Sequence, residues 1–306
     1  MNFVITLISV ATMLAYAIPG YLLVKGKLVK EEATVPFANL LLYVCQPCLT
    51  IYLFNDADYT PLLGKEMLLF FVLSLVLLLA IMISFYYIFR NKLSDIRYRI
   101  CVTATCLSNS AFFGIPILEA LLPQYPEAVI FSMIFSVNLN IVGWTLAFTI
   151  ITGDKKFISA KNIFLNPTTV SLFISLPLFL LQIKIPQQID SILTMLGQMC
   201  TPLCMMVLGM RLATMKWKPI FTSPLQYFTV FVNQMLMPLL GMLLFWFLPI
   251  ETYLKQTVYI LCCCPVASII LNFSEMEGKG QETAANVLLL GSLSSIITVP
   301  VMMLLI

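Results

Sequence analysis

The sequence predicts an all-α integral membrane protein: ten transmembrane helices arranged as two inverted five-helix repeats, with helices 4 and 9 broken at prolines. Three observations predict it. The chain of 306 residues is 60% hydrophobic and only 10% charged, with a mean hydropathy of +0.99, which leaves far too little charge to cover a water-facing surface. Apolar runs long enough to cross roughly 30 Å of hydrocarbon recur about ten times. One longer polar connection, TGDKKFISAKN from Thr152 to Asn162, divides those runs into two sets of five. A duplicated unit with an odd number of spans must sit in the membrane in opposite orientations.

The elements follow in order. Span 1, residues 3–24, lacks the basic leading region of a secretory signal peptide and is longer than the apolar core of one, so it reads as a helix that stays in the membrane. Span 2, 35–54, carries CQPCLTIYLF, and span 3 covers 67–89. Span 4, 98–122, contains SNSAFFGIPILEALLP, in which Asn109, Ser110, Gly114 and Pro116 interrupt an apolar run. Span 5, 127–151, holds FSVNLNIVGW, with Asn138 and Asn140 deep in apolar surroundings. The first repeat is thus 1–151, the linker 152–165 and the second repeat 166–306.

Spans 6 to 10 cover 166–183, 191–214, 221–248, 256–274 and 282–306, with CTPLCMMVLG in the seventh and Pro265, Ser268 and Asn272 in the ninth. Cys45 and Pro47 recur 155 residues later as Cys200 and Pro202, and Pro116 recurs 149 residues later as Pro265. Pairing span 2 with span 7, and span 4 with span 9, is what a five-plus-five duplication predicts.

Charge gives the orientation, because cytoplasmic loops retain Lys and Arg. The odd-numbered loops hold Lys25, Lys27, Lys30, Arg90, Lys92, Arg97, Arg99, Lys155, Lys156, Lys161, Arg211, Lys216, Lys218 and Lys279, fourteen of the 17 basic residues. Only Lys65, Lys184 and Lys255 fall in even-numbered loops. Both termini are therefore expected on the non-cytoplasmic side of a multi-pass protein of the cell membrane. The net charge of +3 is a topology signal and calls for no nucleic-acid partner. The nine cysteines, some adjacent as in Cys262-Cys263-Cys264, do not form the framework of a disulfide-rich secreted domain and read as small buried thiols.

Proline removes a backbone donor and clashes with the carbonyl four residues before it, so Pro116 and Pro265 are expected to free backbone groups inside the membrane. Such groups are tolerated only where protein or a hydrated cavity supplies partners. Asn109, Ser110 and the permissive Gly114 lie beside Pro116, and Ser268 and Asn272 beside Pro265. The half-helix restarting after each proline would direct free N–H groups and a positive dipole end at the break, which attracts anions. Asn138 and Asn140 would line the same hydrated site or form interhelical hydrogen bonds. No basic residue lies deep in a predicted span, so a buried cationic clamp is not expected.

Other function classes fare worse. The chain has no histidine, no paired intramembrane aspartates and no serine with a base in reach, so acid–base and metal-dependent enzyme chemistry lacks its groups. No cofactor is expected. A soft-metal permease using Cys45, Cys48, Cys200, Cys204 and some of the 17 methionines would suit Cu(I), although packing accounts for these residues more simply. A membrane sensor that binds an organic anion without moving it stays open.

At this point the residues resemble a known family. SNSAFFGIPILEALLP resembles the NTGFxGIPL segment of the auxin efflux carrier family, and NPTTVSLFISLPLFL, Asn166 to Leu180, resembles that family's sixth span. TPLCMMVLGMRLA, Thr201 to Ala213, is similar to its TPLALLxLGMxLA signature, and CPVASIILNFSEMEG with ETAANVLLLGSLSSIITVPV resembles its ninth and tenth spans.

The resemblance covers nearly the whole chain in order. It implies a scaffold of helices 1, 2, 6 and 7 that dimerises, and a transport domain of helices 3–5 and 8–10 whose crossing helices 4 and 9 hold the substrate. It also implies elevator-like alternating access and a small organic anion, auxin-like or a carboxylate such as malate. Alignment on Trp144 places Asn140 where plant members have a polar site residue.

Two features depart from the plant pattern. The connection between spans 5 and 6 is about a dozen residues, as in short bacterial members, which points by analogy to a bacterial inner membrane. Lys65 is preceded four residues earlier by Pro61 instead of an acid, with Asp58 out of register, so proton coupling through that pair is not implied. With no acidic residue in mid-membrane, a uniporter fits as well as a symporter.

Overall fold

The computed structural model describes residues 3–153, 165–214 and 223–306. The described residues are helical apart from connecting loops and two short extended breaks within spans, and among them one β bridge joins those breaks, Ser108 to Val266. The predicted linker 152–165, with Lys155, Lys156 and Lys161, lies almost wholly outside the described residues, as do Lys216 and Lys218.

Among the described residues seven helical stretches are long and apolar enough to cross a membrane: Phe3–Lys25, Glu31–Asp56, Pro61–Lys92, Ala128–Thr152, Gln187–Thr214, Pro224–Trp246 and Gln281–Leu305. They cover the predicted spans 1, 2, 3, 5, 7, 8 and 10. Span 6 is a shorter apolar helix, Pro167–Leu180. The predicted spans 4 and 9 are not continuous, and each consists of two helices flanking an extended break.

In chain order the α-helices are α1 (Phe3–Ala15), α2 (Ala17–Lys25), α3 (Thr34–Leu40), α4 (Gln46–Asp56), α5 (Pro61–Phe89), α6 (Ile96–Ala104), α7 (Ile115–Leu121), α8 (Ala128–Val142) and α9 (Phe148–Thr152). They continue as α10 (Pro167–Leu180), α11 (Gln187–Gln198), α12 (Cys200–Thr214), α13 (Pro224–Phe231), α14 (Met237–Trp246), α15 (Thr252–Cys263), α16 (Ile269–Glu277) and α17 (Gln281–Met302). Side chains set several starts. Thr60 accepts the Leu63 N–H at 3.1 Å ahead of Pro61, and Asn166 accepts the Thr168 N–H at 3.0 Å ahead of Pro167. Both are polar N-caps followed by proline, where its missing N–H costs nothing.

Proline inside these helices produces π turns more often than breaks. Among the described residues π turns occupy Leu41–Cys45, Ser110–Gly114, Gly143–Ala147 and Val232–Leu236. Three of them end two residues before a proline, Pro47, Pro116 or Pro238. A widened turn relieves the clash between the ring and the preceding carbonyl while the chain stays helical.

Close packing fixes the helices of segments 1, 2, 6 and 7 on one another. Helix α12 lies along α2, and both α10 and α11 lie along α4. Where α2 and α12 cross, a Cβ on Gly20 would overlap the Met206 carbonyl and one on Gly209 the Ala17 carbonyl, so only glycine permits this backbone contact. The remaining segments pack as α5 on α8, α14 on α15 and α13 on α17, while α1 also touches α17. Two polar clamps stiffen this second group. Asn138 Nδ2 donates to the Phe71 carbonyl and to Ser74 Oγ, both at 2.8 Å, and Gln234 binds the Gly291 carbonyl at 2.6 Å and the Ser294 hydroxyl at 2.9 Å.

Candidate functional site

The two breaks lie against each other at the centre of the fold. After α6 the chain runs extended through Leu107–Asn109, and after α15 through Pro265–Ala267. Asn109 N–H donates to the Pro265 carbonyl at 2.7 Å and Ala267 N–H to the Leu107 carbonyl at 2.8 Å, on either side of the antiparallel bridge Ser108–Val266. Each break thereby supplies the backbone partners the other lacks, which is how extended chain survives in an apolar interior. The expectation that side chains would satisfy the freed backbone is corrected in this respect.

The same geometry corrects the place of one break. The two prolines stand differently: Pro265 lies opposite Asn109 at the crossing, and Pro116 lies beyond it. Pro265 stands in its break, whereas the chain turns helical again at Ser110 and Pro116 lies within that second half. The consequence of Pro116 is local: the Phe112 carbonyl, four residues back, accepts the Thr201 hydroxyl of α12 at 3.2 Å.

The other predicted site residues divide. Asn109, Pro265, Ser268 and Asn272 line one cavity of about 50 Å³, together with Phe112, Phe113, Cys204 and Arg211. Ser110 is 1% exposed, and its hydroxyl pairs with Ser136 Oγ at 2.9 Å while Ser132 donates to its carbonyl at 2.8 Å. It anchors the second half-helix to α8. Gly114 serves close approach, since a Cβ there would come within 2.7 Å of Leu261 Cδ2 and 3.4 Å of Cys264 Sγ.

Asn138 faces α5, as described above, and is fully buried. Asn140, two residues on, points to a different side of α8 because successive residues turn by about 100°; it is half-buried and outside the cavity lining.

Arg211 is the residue that sequence reasoning missed. It stands three residues before the end of the predicted span 7, where it counts among the loop charges, yet it lines the crossover cavity. Its Nη1 is closed off from solvent and has no hydrogen-bond partner among the described residues. The expectation of no basic group within reach of the breaks is therefore overturned. The only signal was an arginine inside the apolar run GMRLA.

The cavity also faces the start of α16, whose first N–H groups have no intrahelical acceptor. Its polar wall combines hydroxyl, amide and guanidinium groups that can bind an anion. At about 50 Å³ it holds little more than one or two waters, whose share of liquid volume is about 30 Å³ each. An organic ligand requires the walls to part.

A much larger cavity of about 930 Å³ opens between the loops that follow α4, α7 and α14. Its lining includes Asp56, Asp58, Glu66, Glu119, Glu127 and Glu251, with no Lys or Arg among its described residues. Tyr253 donates to Glu66 at 2.6 Å. Burial, and then that bond, push its phenol well above the usual range, which keeps it a donor. Asp58 is paired at 3.1 Å with Lys184, not with Lys65. Among the described residues no three His, Cys, Asp or Glu side chains are grouped to hold a metal ion, and Cys45, Cys48, Cys200 and Cys204 are free thiols.

Comparison with known proteins gives one family. The family model described as a membrane transport protein matches residues 5–162 and again 154–303, nearly the whole chain. None of the curated proteins matches.

Proposed function

Because the chain belongs to the auxin efflux carrier family of membrane transport proteins, we propose that it is a secondary transporter for a small organic anion, bound where its two interrupted helices cross. The family makes it a multi-pass membrane transporter; the substrate class and the route are our reading. The observation that carries it is the pairing of the two breaks. Backbone is left extended at the centre of an apolar helical body, and beside it Asn109, Ser268 and Asn272 share a cavity. Irregular backbone at membrane depth is tolerated where it lines a substrate site.

The reading extends to architecture. The two breaks pair antiparallel at Ser108–Val266, the relation expected of equivalent segments in ten spans that form two inverted repeats. The mutual packing of α2, α4, α10, α11 and α12 supports a scaffold against which the crossing helices move in elevator fashion. Apolar side chains exposed on α1 and α2, such as Ile8, Ile18 and Leu22, face lipid or a second copy in a homodimer. The vestibule then opens on the non-cytoplasmic side of a bacterial inner membrane, where both termini lie.

A second reading is favoured by one observation. Six carboxylates around the outer cavity attract cations, so the cargo is a small cation if that field selects it. The experiment separates the two. Proteoliposomes on a solid-supported membrane are challenged with malate, other carboxylates and indole-3-acetate, and with organic cations. A saturable current carried by a carboxylate supports the anion reading. Silence to every anion, with a response to a cation, rejects it, and binding without current or tracer flux identifies a sensor.

A further inference from the structure

We propose that Arg211 is the charge-selecting group of the crossover cavity and takes the substrate's carboxylate from the scaffold side. The inference rests on the anion reading above and adds a residue to it. Arg211 belongs to α12, which is held against α2 by the glycine contacts at Gly20 and Gly209. Its guanidinium reaches the cavity that Asn109, Ser268 and Asn272 line from the crossing helices. Its Nη1 is buried with no acceptor among the described residues, and an unpaired guanidinium donor at such a place calls for an anionic partner.

Glu275 stands nearby on α16 and acts on Arg211 electrostatically, but it is exposed and forms no ion pair with it within 4 Å. It tempers the charge without satisfying the donor. The cavity thus presents two kinds of contact from different helices. Neutral amide and hydroxyl groups come from the moving helices, and one full positive charge comes from the fixed one. The charge reaches the substrate only while the crossing helices stand beside α12. Arg211 therefore strengthens binding in this state and not in the state that faces the vestibule.

The test is direct binding to the purified full chain by calorimetry, with sodium malate, succinate and indole-3-acetate as probes and succinamide as the uncharged isostere of succinate. Wild type is expected to bind at least one carboxylate, and Arg211→Gln to bind it about ten- to a hundredfold more weakly with succinamide affinity unchanged. That is the range a charged hydrogen bond commands. Arg211→Lys keeps the charge without the planar fork and is expected in between. Glu275→Gln is expected to tighten carboxylate binding about twofold to threefold.

Equal carboxylate affinity in wild type and Arg211→Gln overturns the proposal and leaves the anion reading standing. No carboxylate binding to wild type overturns both. If Arg211→Gln does not elute as a monodisperse species, wild type decides: equal affinity for the bound carboxylate and for its uncharged amide overturns the assignment.

Discussion

Asn109 and Asn138 are the same residue type in neighbouring apolar runs, yet they do different work. Asn138 is fully buried, and its amide ties α8 to α5 through the Phe71 carbonyl and Ser74. Asn109 contributes its backbone N–H to the crossing and its side chain to the cavity. Replacing Asn138 by alanine removes the amide bonds to the Phe71 carbonyl and Ser74 Oγ in the interior and is expected to cost about 1–3 kcal/mol, read as a lower melting temperature in detergent. Replacing Asn109 by alanine keeps the backbone bridge and is expected to leave the melting temperature near wild type while transport falls about tenfold. Sequence identified both residues as polar groups needing partners, which follows from desolvation alone. It could not separate them, because the side of a helix that a residue faces depends on its neighbours. Arg211 was illegible for a related reason: its backbone sits at a span end, and only the long side chain reaches the breaks.

Prolines act at the scale of whole elements. Pro265 stands in an extended break and its carbonyl takes the Asn109 N–H, whereas Pro116 follows a π turn inside a helix that has already restarted. Pro116→Ala is expected to transport at about the wild-type level, because the restored N–H meets the Phe112 carbonyl that Thr201 already serves. Pro265→Ala permits α15 to continue as helix through the crossing and is expected to lower transport about tenfold or more. Tracer uptake by the two variants at matched reconstitution checks this order, and equal loss in both contradicts it. The glycine contact between α2 and α12 gives a stability prediction. Gly209→Ala places a methyl into the Ala17 carbonyl and is expected to cost at least about 1–3 kcal/mol, seen as a lower melting temperature and a smaller monodisperse fraction. Broken helices were legible as unusual composition within apolar runs. The position of the first break was not, because a π turn absorbs a proline without leaving a sequence signal of its own.

Across the whole molecule, composition and run length already required a membrane-embedded helical body, since they follow from the thickness of hydrocarbon and the cost of exposing apolar surface. The meeting of the two breaks was expected from the crossing of helices 4 and 9, but their direct backbone bridge and the acidic vestibule were not legible, because each joins loops or segments far apart in the chain. Six carboxylates at one mouth repel anions over a Debye length of about 10 Å at 0.1 M salt. Uptake of a carboxylate from the vestibule side is therefore expected to rise with ionic strength, while uptake from the opposite side changes little; oriented proteoliposomes distinguish the two. We propose the crossing of the interrupted helices as the place where cargo is bound and carried. Its most direct test is tracer flux of the carboxylate that evokes current, compared among wild type, Asn109→Ala and Pro265→Ala, all folded and reconstituted at equal density. We expect saturable flux in wild type and a loss of about tenfold or more in both variants. Undiminished flux in both would place the transport route elsewhere in the protein.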